Sequence, residues 1–351
     1  MLSQPLRPLQ EAIDRRKERL RTSRVRRGAI LLYHRVADPA SDPWQMAVSP
    51  ENFAAHMAII RRRREARPLS ELSKWLYQPG KPENAITVTF DDGYVDNVRT
   101  ALPILEREQV PATVYVVSGA VGKPDAFWWD FLNRVFLEKP ALPATLTLSA
   151  GEQRQSWHLG TSGQYDQKSL RRAARWAADF EPPRDARQRA FLNVWAFMAA
   201  LNPCQREQPL AQLAEWAGVP PTPPEADLAR PVNQAELDRL AKSPLIEIGG
   251  HTVTHPDLGQ VVPATGAEEI RESRETLRKL TGQEVSSFAY PFGRFGEQTG
   301  GQIAAAGYTD AGCSRFGLAT HRSHRFRIPR IQVPNISGDR FEKLLNQTLG
   351  A

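Results

Sequence analysis

The sequence predicts an α/β fold with a parallel strand arrangement, on three observations. Short apolar or β-branched runs end directly in polar, chemistry-bearing residues. Helix-like stretches separate these runs at close spacing, as βαβ units require. A long middle stretch, about 123–231, changes to a mainly helical pattern and reads as an insertion that could cover or flank the active-site face.

Leu9 to Leu20 has helical propensity and a charged face, and residues 1–28 read as a basic helical segment ahead of the main domain, 29–351. Ala29 to Tyr33 (AILLY) is a buried strand ending at His34. Ser49 followed by Pro50 marks a helix start, with Ser as N-cap and Pro at the first helical position, running through Phe53, Met57 and Ile60. Ala85 to Phe90 (AITVTF) is a strand that delivers Asp91 and Asp92 to a loop. Asn97 to Arg107 reads as a helix and Pro111 to Val117 as the next strand.

Within the insertion, Phe127, Trp128, Phe131, Val135 and Phe136 fall near helical spacing, a pattern that more often marks a core than a ligand platform. Ser169 to Phe180, Ala186 to Leu201 and Pro209 to Ala217 also look helical, punctuated by prolines. Asn233 caps a helix through Leu240, and Leu245 to Gly249 is a strand running into Gly250 and His251. Ala267 to Leu280 is a surface helix closed by Gly282. Ser287 to Tyr290 is a short strand entering Pro291-Phe292-Gly293; Thr299 to Ala306 is a helix closed by Gly307; Ile328 to Val333, interrupted by Pro329, reads as an edge strand.

Composition is that of a soluble globular chain, with 41% hydrophobic and 24% charged residues and a net charge of +7. Two cysteines, Cys204 and Cys313, cannot build a disulfide framework or a Cys-x-x-Cys metal site. No leader pattern and no run approaching ~20 apolar residues is present, so the cytoplasm is the expected compartment. Eight of the thirteen residues from Arg15 to Arg27 are Arg or Lys, either a solvated helix end or a weak attachment to anionic lipid headgroups. Basic charge interleaved with aromatics is not evident, so nucleic acid is not an expected partner.

Three strand ends carry the chemistry: TFDDG at 89–93, HTVTH at 251–255 and YPFG at 290–293. One Asp and two His form a frequent ligand set for a catalytic divalent ion, leaving coordination sites open for water and substrate. Two adjacent aspartates can divide the work, one on the metal and one taking a proton from water. Each signal alone is weak: histidines four apart arise by chance, and turns favour Asp. Their joint placement after apolar strands, with the strand-end His34 nearby in order, gives the pattern its weight.

These motifs resemble those of the polysaccharide deacetylase family, which shares the chitooligosaccharide-deacetylase homology domain. TFDDGYVDN resembles that family's first motif, GGHTVTHPDL its second and FAYPFGRF its third. The resemblance implies a distorted (β/α) barrel, often seven-stranded. It implies Asp91 as catalytic base, with Asp92, His251 and His255 as ligands of a divalent metal, usually Zn²⁺, with Co²⁺, Ni²⁺ or Mn²⁺ as substitutes. Thr252 and Thr254 would shape the metal loop, and Tyr94, Tyr290, Pro291, Phe292, Gly293 and Arg294 would face the sugar, although turn structure also explains Pro291 and Gly293.

Two departures stand out. The third motif usually has an arginine two residues before its proline, orienting the catalytic aspartate; here that residue is Ala289, and Arg294 or Arg330 are the candidates for the missing charge. The late catalytic histidine of familiar members has no match, since His321 and His324 lie in a polar stretch that reads as exposed loop. Relatives that begin with a strand resembling ILLYHRV place an early histidine there instead, which makes His34 the general-acid candidate.

The expected activity is removal of N-acetyl groups from amino sugars of a glycan or a lipid-linked precursor, releasing acetate. The alternatives are an O-acetyl esterase on the same fold, a non-catalytic glycan-binding protein, and a partner in a polysaccharide-assembly complex anchored through Arg15–Arg27. Oligomeric state is open.

Overall fold

A computed structural model describes residues 26–63, 65–78, 83–225 and 228–349. The helix expected over Leu9–Leu20 and the basic run Arg15–Arg27 lie outside the described residues, except for Arg26 and Arg27. The described residues divide into two units, one of 39–45 and 124–230, the other of the remainder.

The larger unit is built on seven strands: β1 (Arg27–Tyr33), β2 (Asn84–Phe90), β3 (Ala112–Val116), β4 (Ile246–Gly250), β5 (Ser287–Ala289), β6 (Asp310–Phe316) and β7 (Ile328–Gln332). Each pairs in parallel with the next, and β7 pairs in parallel with β1, which closes a seven-stranded barrel. Ala319–Thr320 adds a short antiparallel piece to the start of β1. Helices follow the strands in chain order, among them Pro50–Arg63, Leu102–Glu108, Gln234–Lys242, Pro263–Thr281, Thr299–Ala305 and Gly338–Leu349.

Local chemistry sets the helix ends. The Ser49 hydroxyl accepts the N–H of Asn52, 3.2 Å away, with Pro50 at the first helical position. Asn233 and Glu236 form a reciprocal capping box, and Gly282 closes Pro263–Thr281 at φ 68°. The segment expected as one helix from Asn97 divides into a π turn, Asn97–Ala101, and an α-helix, Leu102–Glu108. Pro103 lacks the N–H that a continuous α ladder would need at that point.

Strand alternation separates two environments. Ile86, Val88 and Phe90 of β2 join Val114, Ile248, Phe53, Met57 and Ile60 in the main apolar core. Thr87 and Thr89 take the other face, where polar groups of several strands meet: Tyr115 bonds Ser287 at 2.8 Å, and the Ser287 hydroxyl donates to Asp310 at 2.6 Å.

One expectation is corrected. Ile328–Gln332 is not an edge strand, because it pairs with β1 on one side and β6 on the other. Its Pro329 is accommodated opposite Cys313, beside a register irregularity between Cys313 and Phe316, where a missing N–H is tolerated. The insertion also contains an antiparallel hairpin, Thr145–Ala150 with Gln153–His158, whose outer strand is too polar to show a strand pattern. Its helices are Trp128–Asn133, Gln167–Ala174, Ala186–Ala199 and Pro203–Ala217; the last starts at an Asn202 capping box and runs through Pro209. Among the described residues no helix is long and apolar enough to cross a membrane.

His56 gives the larger unit a pH signature. Its ring is buried and stacks on Phe341 at 4.0 Å, with Nδ1 3.2 Å from the Tyr33 hydroxyl and Nε2 2.7 Å from the Ile336 carbonyl. Burial pushes its pKa down to about 4, against a backbone hydrogen bond that pulls it up. Between pH ~6.5 and ~4 the unfolded chain takes up a proton that the fold refuses, so this residue's contribution to stability is lost as pH falls through that window. A His56→Gln variant should therefore lose stability less steeply on acidification, by up to ~1.4 kcal/mol per pH unit. Urea titrations of both proteins across the window check this, and parallel pH profiles would contradict it.

Candidate metal centre

Asp92 follows β2, His251 follows β4, and His255 closes the loop after His251. Their potential ligand atoms all lie within 4.8 Å of one another, and all three residues are buried. Asp92 Oδ1 is 3.4 Å from His251 Nε2 and 3.3 Å from His255 Nε2. Two ligands ~2.1 Å from one cation at a tetrahedral angle stand about 3.4 Å apart, so the spacing fits a zinc-sized ion. The ring of His251 is oriented from behind: its Nδ1 donates to the Ala289 carbonyl at 2.8 Å, which leaves Nε2 as the lone-pair donor.

Charge agrees with this geometry. Burial opposes ionisation of Asp92, but hydrogen bonds from both histidines hold its carboxyl well below the usual carboxylate range. Burial pushes His255 down, toward the neutral donor form. His251 is raised despite its burial, because Asp92 and Asp91 favour its protonation. A cation would compete with that proton for the same lone pair.

The loop holding the histidines is conformationally demanding. Asp92, Thr252, His255 and the neighbouring Phe292 all have positive φ (74°, 66°, 58° and 56°), an arrangement that surrounding contacts must stabilise. The Thr252 hydroxyl accepts the His255 N–H at 3.0 Å. Glu269, on Pro263–Thr281, accepts the N–H groups of Val253 and Thr254 at 2.8 Å each and the Thr254 hydroxyl at 2.6 Å. Its carboxylate thus holds the middle of the loop while the two histidines flank it. The sequence reading missed Glu269, because one acid on an amphipathic helix looks like surface charge.

Asp91 sits beside this centre, 2% exposed, and receives both arms of Arg330 at 2.7 Å. Arg330 is fully buried, with its guanidinium 5.5 Å from the Tyr115 ring centroid. Burial works against charge on Asp91, but Arg330 leads a group of cations, including His251 and His34, that keep it below the ordinary carboxylate value. Of the two candidates for the missing charge, Arg330 is the one paired with Asp91. Arg294 is not: it pairs with Asp257 at 3.0 Å and is half exposed.

His34 follows β1, close enough to Asp91 and Asp92 for its charge to act on both. The Asn97 amide donates to the His34 carbonyl at 2.9 Å and to Asp96 at 3.0 Å, and Asp96 is paired with Arg35 at 3.0 Å and accepts the Val36 N–H. The second half of the YVDN stretch therefore fastens the histidine-bearing segment to β2's loop, a role not read from the sequence.

The proposed sugar-facing residues divide. The Tyr290 side chain is buried, packed against Phe288 and Phe295, with its hydroxyl donating to the Phe326 carbonyl, so it is a core residue. The Tyr94 ring is likewise buried, with the Arg35 guanidinium 5.1 Å from its centroid, and only its backbone remains a candidate. Phe292 is half-buried, with its ring 4.6 Å from His255. Pro291 is buried, and Gly293 has φ 65° with Ser314 where a Cβ would stand, so both serve the turn. His321 and His324 are exposed, in the connection between Ala319–Thr320 and β7.

Known proteins resemble this chain in sequence and in fold. The profile described as Polysaccharide deacetylase matches residues 78–140 and 215–311, which include Asp91, Asp92, His251 and His255 but neither His34 nor Arg330. YxkH of Bacillus subtilis (strain 168), a protein named for polysaccharide deacetylase, is 30% identical over 105 residues, covering 29% of this chain and 36% of that protein. The chain thus aligns with only about a third of the curated relative it matches. The Streptococcus pyogenes deacetylase PplD, solved in complex with acetate, superposes with a TM-score of 0.57 at 17% identity, covering 93% of this chain and 99% of that one. IcaB from Ammonifex degensii gives 0.52 at 16%, covering 93% and 98%. The fold is that of polysaccharide deacetylases, and its buried Asp-His-His cluster can coordinate a divalent metal.

Removing the Glu269 carboxylate should loosen the metal loop without touching a ligand. Glu269→Ala is expected to weaken zinc binding roughly tenfold, the low end for residues that support ligands from behind. Competition with a chromophoric chelator measures it, and wild-type affinity in a folded variant would contradict the role.

Proposed function

We propose that this chain is a metal-dependent N-deacetylase acting on amino sugars of a glycan or a lipid-linked glycan precursor. The observation that carries the reading is the Asp92–His251–His255 cluster lying beside a second carboxylate, Asp91, that is ion-paired to Arg330 and outside the ligand set. Similarity to the profile described as Polysaccharide deacetylase supports the substrate class.

Asp92, His251 and His255 would hold the ion, with zinc suited to this donor set. When bound, the metal polarises an amide carbonyl and lowers the pKa of a water molecule. Asp91, ionised and oriented by Arg330, accepts the proton of the attacking water. The backbone N–H near Tyr94 donates to the oxygen that gains negative charge. Protonated His34 passes its proton to the departing nitrogen, so that acetate and a free amine leave. His34 follows a strand that resembles the YHRV-type relatives, which supports this assignment.

The non-catalytic reading draws on the missing motif arginine and on the aromatic-rich insertion; the pairing of Arg330 with Asp91 counts against the first of these. An O-acetyl ester would meet the same groups, but its alkoxide-type leaving group differs from an amine, so defined N- and O-acetyl substrates separate the two. Action in the cytoplasm on a glycan intermediate belongs to this proposal, on family context alone.

Asp91→Asn should retain metal and lower kcat by ~10²–10⁴, the range of a lost general base. Asp92→Ala should lose both metal and activity. Metal analysis with acetate-release assays on N-acetylated oligosaccharides and lipid-linked sugars tests the pair. Wild-type turnover in Asp91→Asn would remove the base assignment.

A further inference from the structure

The smaller unit carries an open surface hollow of about 510 Å³ lined by Gln167, Lys168, Arg171, Arg172, Arg175 and Arg184. Lys168, Arg171, Arg172 and Arg175 stand at positions i, i+3, i+4 and i+7 along Gln167–Ala174 and the residue after it. They form one helical face about 10 Å long at ~1.5 Å rise per residue. Arg184 reaches the same hollow from a separate segment. Its backbone is pinned: its N–H donates to Gln188 Oε1 at 2.7 Å, and the next residue, Asp185, caps Ala186–Ala199.

Among the described residues no carboxylate lines the hollow. Arg184 is paired with Glu181, but the side chains of the other four cations make no hydrogen bond or ion pair among the described residues. Asp166, whose charge Lys168 and Arg172 feel, is committed to the helix cap through the Ser169 N–H at 2.7 Å. Like charges at i and i+4, here Lys168/Arg172 and Arg171/Arg175, repel one another. An ordinary solvated helix face relieves such repulsion with interleaved acids, and this one has none.

We propose that this hollow binds a diphosphate group, as carried by a diphosphate-linked sugar or nucleotide. Four of its five cations are arginines, whose planar forks bind phosphate oxygens in pairs. Cations from two segments converge on a concave site, which suits a compact polyanion better than the plane of a lipid leaflet. The hollow shares no residue with the metal centre, and the proposal does not depend on the deacetylase reading.

Inorganic pyrophosphate titrated calorimetrically into the full chain tests it. A saturable affinity is expected that weakens with added salt and falls at least tenfold in the Lys168→Ala/Arg171→Ala/Arg172→Ala/Arg175→Ala variant, with a smaller loss in Arg184→Ala. The metal ligands are intact in both variants, so pyrophosphate binding at that centre survives and is separated from the hollow. Absence of pyrophosphate binding, or equal binding in wild type and the fourfold variant, overturns the proposal. So does sedimentation with phosphatidylcholine vesicles carrying one third phosphatidylglycerol that the fourfold variant loses, if pyrophosphate itself does not bind.

Discussion

The site depends on one backbone constraint: β3 ties the ends of β2 and β4 to a common level. The Val117 N–H donates to the Asp92 carbonyl at 3.4 Å, and the His251 N–H donates to the Val116 carbonyl at 3.2 Å. Two ligands some 160 positions apart are thereby hung from the last residue of β3 and the one that follows it. Parallel pairing also brings Asp91 into reach of β1, through its N–H to the Tyr33 carbonyl at 3.0 Å. Every other feature of the centre modifies positions that this pairing has already set.

Around that frame the chain places charge where burial alone would forbid it. A buried carboxylate persists as an anion only with close partners, and losing one partner of such a pair typically costs about 3–5 kcal/mol. Asp91 is stabilised by the two-pronged contact with Arg330, Asp92 by two imidazoles. The two neighbouring carboxylates thus have different partners, which lets one bind a cation while the other stays outside the ligand set. The positive φ angles at Asp92, Thr252 and His255 mark the conformational cost, offset by Glu269 and Thr252.

Much of this was legible in the chain itself. The strands ending at Tyr33, Phe90 and Gly250 announced themselves through apolar or β-branched runs bounded by polar loops, and the Asn233 and Gly282 helix ends through capping chemistry. Asp91, Asp92, His251 and His255 stood in motifs. Arg330 could be named only as one of two candidates, because what selects it is barrel closure: β7 lies beside β1, and nothing local in IPRI says so. Glu269 carried no signal, and Asp96 and Asn97 only that of their motif, since what each of them does lies in the backbone groups it binds elsewhere in the chain. The Tyr290 ring lies in the core for a physical reason: a ring beside a motif can face the core as readily as the groove.

X-ray absorption at the zinc edge of the reconstituted chain interrogates the central claim without reference to turnover. Two imidazole nitrogens and a carboxylate oxygen should surround the ion at ~2.0–2.2 Å, with the remaining shell filled by further oxygen donors. A shell lacking imidazole scattering, or one unchanged when His251 and His255 are both replaced, would contradict the account.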